Sequence, residues 1–128
     1  MKISKFVFLM AITAVGLISC RKDEAAKKNI AGIWEGAWGF GTDVPSFYEK
    51  WDLDSDGQLK AFFPSGEVYA TGTWELDGDD FEAVYSPIWE SYTYRFTGKY
   101  DEDDDEITGD WLDMVTAVDG GTFEMSKQ

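Results

Sequence analysis

The sequence predicts an all-β fold: a single antiparallel up-and-down meander of eight strands rolled into a barrel. Three observations carry that prediction. From Gly32 onward, hydrophobic residues recur with a period of two. Turn residues return about every dozen positions, the rhythm of short strands in a sandwich or barrel. No window holds the spacing of an amphipathic helix.

The first run, Gly32 to Phe40, places Trp34, Gly36, Trp38 and Phe40 on one face. After a loop from Gly41 to Pro45, Phe47, Glu49, Trp51 and Leu53 alternate through a second strand. Asp54-Ser55-Asp56-Gly57 turns the chain into a third, Leu59 to Phe63, and Pro64-Ser65-Gly66 turns it again. In the fourth, Val68, Ala70, Gly72, Trp74 and Leu76 face one way, and Tyr69, Thr71, Thr73 and Glu75 the other. Asp77-Gly78-Asp79 is a hairpin signal. Phe81, Ala83 and Tyr85 make a fifth strand that ends near Ser86-Pro87. Tyr92, Tyr94, Phe96 and Gly98 alternate in a sixth, and Asp101 to Asp105 is an acidic turn. Ile107, Gly109 and Trp111 form a seventh, and Asp119-Gly120-Gly121 turns into an eighth, Thr122 to Met125.

A wrapped meander pairs its first and last strands and has no free edge. Two packed sheets with the same sequential connections are the alternative. Three Gly-x-Trp units favour wrapping: Gly32-Ile33-Trp34, Gly72-Thr73-Trp74 and Gly109-Asp110-Trp111. A glycine two residues before a tryptophan shares its face, which lets the strand coil and leaves the indole space.

Composition excludes several chemistries. The chain has no histidine and one cysteine, Cys20. Imidazole bases, histidine-dependent triads and histidine metal or haem sites are therefore absent. The formal charge of −14 repels nucleic acid phosphates and anionic head groups, so no nucleic-acid partner is expected. Aromatic residues make up 16% of the chain, far from the composition of a disordered acidic segment.

The amino terminus has its own pattern. Lys2 and Lys5 precede an apolar run, Phe6 to Ile18, which ends in Leu17-Ile18-Ser19-Cys20. This is the layout of a secretory signal and is short for a membrane span. The four-residue ending resembles the lipobox of bacterial lipoproteins. The resemblance implies a diacylglycerol on Cys20, cleavage before it, and a third acyl chain on the new amino terminus. The membrane is then a partner through the acyl chains. Lys22-Asp23-Glu24 resembles the export signal of surface lipoproteins of Bacteroidetes. Outer-membrane location, with exposure at the cell surface, is the expectation. The domains expected are 1–19 signal peptide, 20–31 lipidated tether and 32–128 barrel. Loss of Lys2 and Lys5 with the leader takes the formal charge from −14 to −16.

Within 32–126, Gly32-Ile33-Trp34 resembles the first-strand mark of calycins, the superfamily of lipocalins, fatty-acid-binding proteins and avidins. Gly72-Thr73-Trp74, Phe96-Thr97-Gly98-Lys99-Tyr100-Asp101 and Gly120-Gly121-Thr122-Phe123 extend the resemblance to small lipocalin-like lipoproteins of Bacteroidetes. The resemblance implies a lipocalin- or avidin-like barrel. The chain departs from lipocalins in having no arginine after Arg95.

Candidate sites follow. Trp38, Trp51, Trp89, Tyr92 and Tyr94 are candidates to line an open barrel end, stacking on an apolar ligand or the CH faces of a glycan. The alternative is that they fill the core, because an eight-stranded barrel holds either side chains or one small ligand. Trp89 follows Ser86-Pro87-Ile88 in a loop and is the best contact point. Asp52-Leu53-Asp54-Ser55-Asp56-Gly57 matches half an EF-hand loop, but Phe63 stands where the bidentate glutamate belongs. A plain hairpin is the reading, and calcium on Asp52, Asp54 and Asp56 the alternative. Asp101 and Asp103 to Asp105 read as a solvated turn. Glu35, Glu49 and Glu82 are the carboxylates a glycosidase would need, and no spacing selects a pair among them. The expectation is a non-catalytic binding module without a cofactor, or a filled-core protein that contacts another envelope protein.

Overall fold

The computed structural model of the chain describes residues 30–116 and 120–128. The signal peptide, Cys20, the Lys22-Asp23-Glu24 motif and Asp119 lie outside the described residues. The described chain forms β1 (Gly32–Phe40), β2 (Phe47–Leu53), β3 (Gln58–Phe62), β4 (Val68–Asp77), β5 (Asp80–Pro87), β6 (Tyr94–Asp101), β7 (Glu106–Asp113) and β8 (Gly120–Lys127). Each pairs antiparallel with the next, and β1 pairs with β8 from Trp34↔Lys127 to Phe40↔Gly121, closing the barrel. The wrapped meander is the architecture, and the two-sheet alternative falls.

Closure depends on missing side chains. A Cβ on Gly36 would lie 1.9 Å from the Glu124 carbonyl oxygen, and one on Gly121 would lie 1.8 Å from that of Gly39. Both contacts are across the β1–β8 seam, so a larger residue would push the seam apart. A Cβ on Gly72 or Gly109, from two of the three Gly-x-Trp units, would lie equally close to a neighbouring carbonyl oxygen, at 1.9 and 2.0 Å. Gly32 differs: it opens β1 with a φ of 138° and meets only the end of the Lys127 side chain. The strand's tight position is Gly36, two residues after Trp34.

Inward positions mix large and small side chains around the wall, as a narrow barrel requires. Trp51 pairs with Ala61, which pairs with Ala70. Trp74 pairs with Ala83, Ala83 with Phe96, and Phe96 with Trp111. Trp51 is fully buried at the centre, stacked on Phe81 at 5.8 Å and edge-on to Phe96 at 5.3 Å. The end of the barrel where β1 begins is closed by tight turns at 54–57, 78–79 and 102–105. The Trp74 indole N–H donates to the Asp54 carbonyl there, and the Trp34 indole N–H to that of Ile30. Ile30, which the sequence reading leaves in the tether, is fully buried. An isolated apolar side chain in a charged stretch thus belongs to the core, plugging this end.

Three further expectations change. Gly120 and Gly121 are strand residues of β8, held between β7 and β1 where a side chain has no room. Tyr92 lies in the 88–93 loop because β6 begins only at Tyr94. Tyr69, expected to face out, is only partly exposed and packs against the core. Phe62 pairs with Val68 while Ala61 pairs with Ala70, so Tyr69 is the extra residue of a bulge. A bulge breaks alternation and re-aims a side chain.

Gly121→Val should destabilise the barrel by about 3 kcal/mol, the upper range of overpacking costs. Gly41→Asn, at a turn with φ of 55° and nothing within 4 Å, should cost less than about 1 kcal/mol. Urea unfolding followed by tryptophan fluorescence measures both, and equal costs would refute the seam argument.

Candidate functional site

Above Trp51 the barrel is open. A cavity of about 240 Å³ occupies the end where β1 finishes, under the loops 41–46, 63–67 and 88–93. Its walls come from alternating positions that the wider end leaves unfilled. β1 supplies Trp38 and Phe40, and β7 supplies Trp111. β4 and β5 supply Tyr69, Tyr85 and Pro87, and β6 supplies Tyr94 and Phe96. The 88–93 loop adds Trp89 and Glu90.

The aromatic walls are mutually braced. Trp38 stacks on Phe47 at 4.7 Å and meets Trp111 edge-on at 5.2 Å. The Trp111 indole N–H donates to the Gly39 carbonyl, holding the ring across the seam. On the far side Trp89 stacks on Phe63 at 5.5 Å, nearly parallel, and is still 56% exposed. Asp113, buried where β7 ends, accepts from the Val115 and Thr116 amides and so fixes the start of the loop beyond.

The floor is polar and centres on Glu49, which is fully buried on the inward face of β2. Among the described residues no Lys or Arg forms a salt bridge with it. The Trp51 indole N–H donates to Oε2 at 2.6 Å. The Tyr69 hydroxyl lies 2.6 Å from Oε1, the Tyr85 hydroxyl 2.7 Å from Oε2, and the two hydroxyls 2.9 Å from each other. Carboxyl and hydroxyls therefore form a triangle of three short contacts. Two tyrosines supply two protons, so an ionised Glu49 leaves one edge with lone pairs facing each other. A proton on the carboxyl fills every edge in a closed ring. Burial pushes the Glu49 carboxyl above its ordinary 4.5, against the opposing pull of Tyr69, Tyr85 and Trp51. Proton counting and desolvation both favour the protonated carboxyl more than an exposed glutamate would. Burial pushes both tyrosine hydroxyls far up, so both remain protonated.

The sequence-derived candidates divide. Trp38, Trp89 and Tyr94 meet at the cavity. Trp51 does not line it: the indole is the core pillar beneath, because its position on β2 sits a full layer deeper. Tyr92 stands outside, 6.4 Å from Tyr94. Phe40, Tyr69, Tyr85 and Trp111 line the cavity without having been singled out. The inward parity of Tyr85 and Trp111 was readable, whereas the bulge hid Tyr69. Glu49 was readable too, as the one acid in the inward register of β2. Glu35 and Glu82 are on the outer wall, with Tyr48 and Arg95 as partners. Asp54 and Asp56 shape the β2–β3 hairpin, where Asp54 receives the Gly57 amide and Asp56 that of Gln58. Asp52 pairs with Lys60 along the strands. Among the described residues no three acids gather as metal ligands.

The geometry defines an antiparallel barrel with a packed lower half and a small aromatic cavity above a buried acid. No family model, curated protein or solved structure matches the chain.

The raised Glu49 carboxyl sets a sign for stability against pH. Between about pH 4.5 and the folded-state value the native protein holds a proton that the unfolded chain has lost. Its stabilising contribution is full below that window and disappears as pH rises through it. Glu49→Gln cannot titrate, so the stability advantage of the wild type over this variant should shrink as pH rises above about 4.5. Urea midpoints of both proteins at pH 4, 6 and 8 test this. A difference independent of pH would refute the neutral carboxyl.

Proposed function

We propose that this protein is a non-catalytic binding module that holds one small ligand in the aromatic cavity. The observation that carries the reading is a cavity walled by Trp38, Trp89, Tyr94 and Trp111 with the Tyr69 and Tyr85 hydroxyls at its floor. Such a lining suits a ligand with an apolar or sugar-like face. The volume of about 240 Å³ lies below the ~300 Å³ at which drug-sized sites begin, so the ligand is small. The lipocalin-like resemblance agrees with this use of a barrel mouth, and the fold alone assigns no function. The module is anchored at the outer membrane through acyl chains on Cys20. Several chains at ~0.8 kcal/mol per buried methylene hold it there permanently.

A second reading, a contact with another envelope protein, is favoured by one observation. The mouth loops carry exposed apolar tips: Val44 at 81%, Ile88 at 67%, and Met114 and Val115 beyond β7. Under that reading the cavity stays empty and the loop tips are the contact.

Tryptophan fluorescence across a panel of lipids and glycans separates the two. A saturable change is expected, and Trp89→Ala should weaken it about tenfold, as loss of an aromatic anchor does. Because Trp89 is largely exposed, that variant should keep its stability within about 1 kcal/mol. No response from any ligand would remove the binding module. Cys20→Ser should move the protein from the membrane to the soluble fraction, and retention in the membrane would refute the anchor.

A further inference from the structure

We infer that the cavity's ligand is a small organic cation, an alkylated or quaternary ammonium group. The inference rests on the small-ligand reading and names its chemistry.

Three observations point the same way. The first is the direction of the floor's protons. Every hydroxyl proton of Tyr69 and Tyr85 is engaged inside the triangle with Glu49, and the Trp51 N–H is engaged there too. What the two hydroxyls turn toward the cavity is lone pairs. A carboxylate, phosphate or carbonyl group would find no donor in the Tyr69 and Tyr85 hydroxyls, whereas a positive charge meets acceptors. The second is the wall. Indole and phenol faces stand around the space, and cations are attracted to aromatic faces, Trp most strongly. The third is the distribution of charge. Glu90 lines the rim, and among the described residues no Lys or Arg lines the cavity. The described cations Lys50, Lys60, Arg95, Lys99 and Lys127 belong to strand positions rather than mouth loops, as in Arg95 with Glu82 and Lys99 with Asp79. A chain of net charge −14 adds a long-range attraction for cations.

A glycan fits less well. Its many hydroxyls need donors as well as acceptors, and the Tyr69 and Tyr85 hydroxyls offer acceptors alone. A purely apolar ligand would make no use of an acid buried beneath it or of the carboxylate at the rim.

The test pairs choline with 3,3-dimethylbutan-1-ol, its neutral isostere, and adds tetramethylammonium. Each is titrated into the full chain at low salt, read by tryptophan fluorescence and calorimetry. Both cations should bind, choline at least about tenfold tighter than the isostere, the margin expected of a desolvated cation against aromatic faces. Glu90→Gln, at an exposed rim position, should weaken choline about threefold and leave the isostere unchanged, as for a screened surface charge. The isostere binding as tightly as choline would overturn the cation while the small-ligand reading stands. So would a response to a neutral lipid or glycan with none to either cation. Silence toward the cations, the isostere and the whole panel would overturn both.

Discussion

The structure depends on a carboxyl group in the middle of the barrel. Glu49 occupies an inward position that alternation would give to an apolar side chain, and among the described residues no cation pairs with it. A buried carboxylate left alone costs several kcal/mol. Here Trp51 and two tyrosines take up its lone pairs, and the triangle they form closes fully when the carboxyl is neutral. The network joins β2, β4 and β5, which are not all neighbours in the sheet, across the interior of the barrel. It also fixes the level at which packing stops. Below it Trp51, Phe81, Phe96 and Phe123 fill the space. Above it the same hydroxyls become the floor of a cavity.

The two ends of the barrel differ for reasons of chain length and chemistry. At the lower end tight turns, Ile30 and tryptophan N–H groups bonded to loop carbonyls leave no opening. At the upper end longer loops stand apart and carry Trp89, Val44 and Ile88 into solvent. The aromatic rings there brace each other in contacts of about 5–6 Å, the range preferred by edge-to-face and offset pairs. The walls of the cavity are thus ordered before anything enters. Pre-ordered walls lower the entropic cost of binding. The acidic surface and the Glu90 carboxylate at the rim make the opening electrostatically one-sided.

Much of this was legible in the residues. The period of two from Gly32 onward placed all eight strands, and β1 and β2 fall at the limits the pattern suggested. The inward parity of Trp34, Trp51, Trp74, Phe81, Phe96 and Phe123 follows from alternation alone. Trp89 sits in a loop because Pro87 and its surroundings interrupt the strand. The errors lie where a local rule was overridden by a contact distant in sequence. Gly120 and Gly121 resemble a turn, but they are strand residues because two neighbouring backbones press on them. Tyr92 alternates correctly and still lies outside β6, since the pairing with β5 and β7 stops at Tyr94.

By itself, then, the sequence determined the class of fold, the order of the strands, the acidic surface and the absence of imidazole chemistry, because these follow from local periodicity and composition. The tertiary structure alone decided which aromatic residues are core and which are wall. It also turned Tyr69 inward through a one-residue bulge and joined Glu49 to two tyrosines 20 and 36 positions away. Alternation tells which side of a strand a residue faces. It says nothing of depth along the barrel axis, and depth is what separates a packed indole from one that borders an opening.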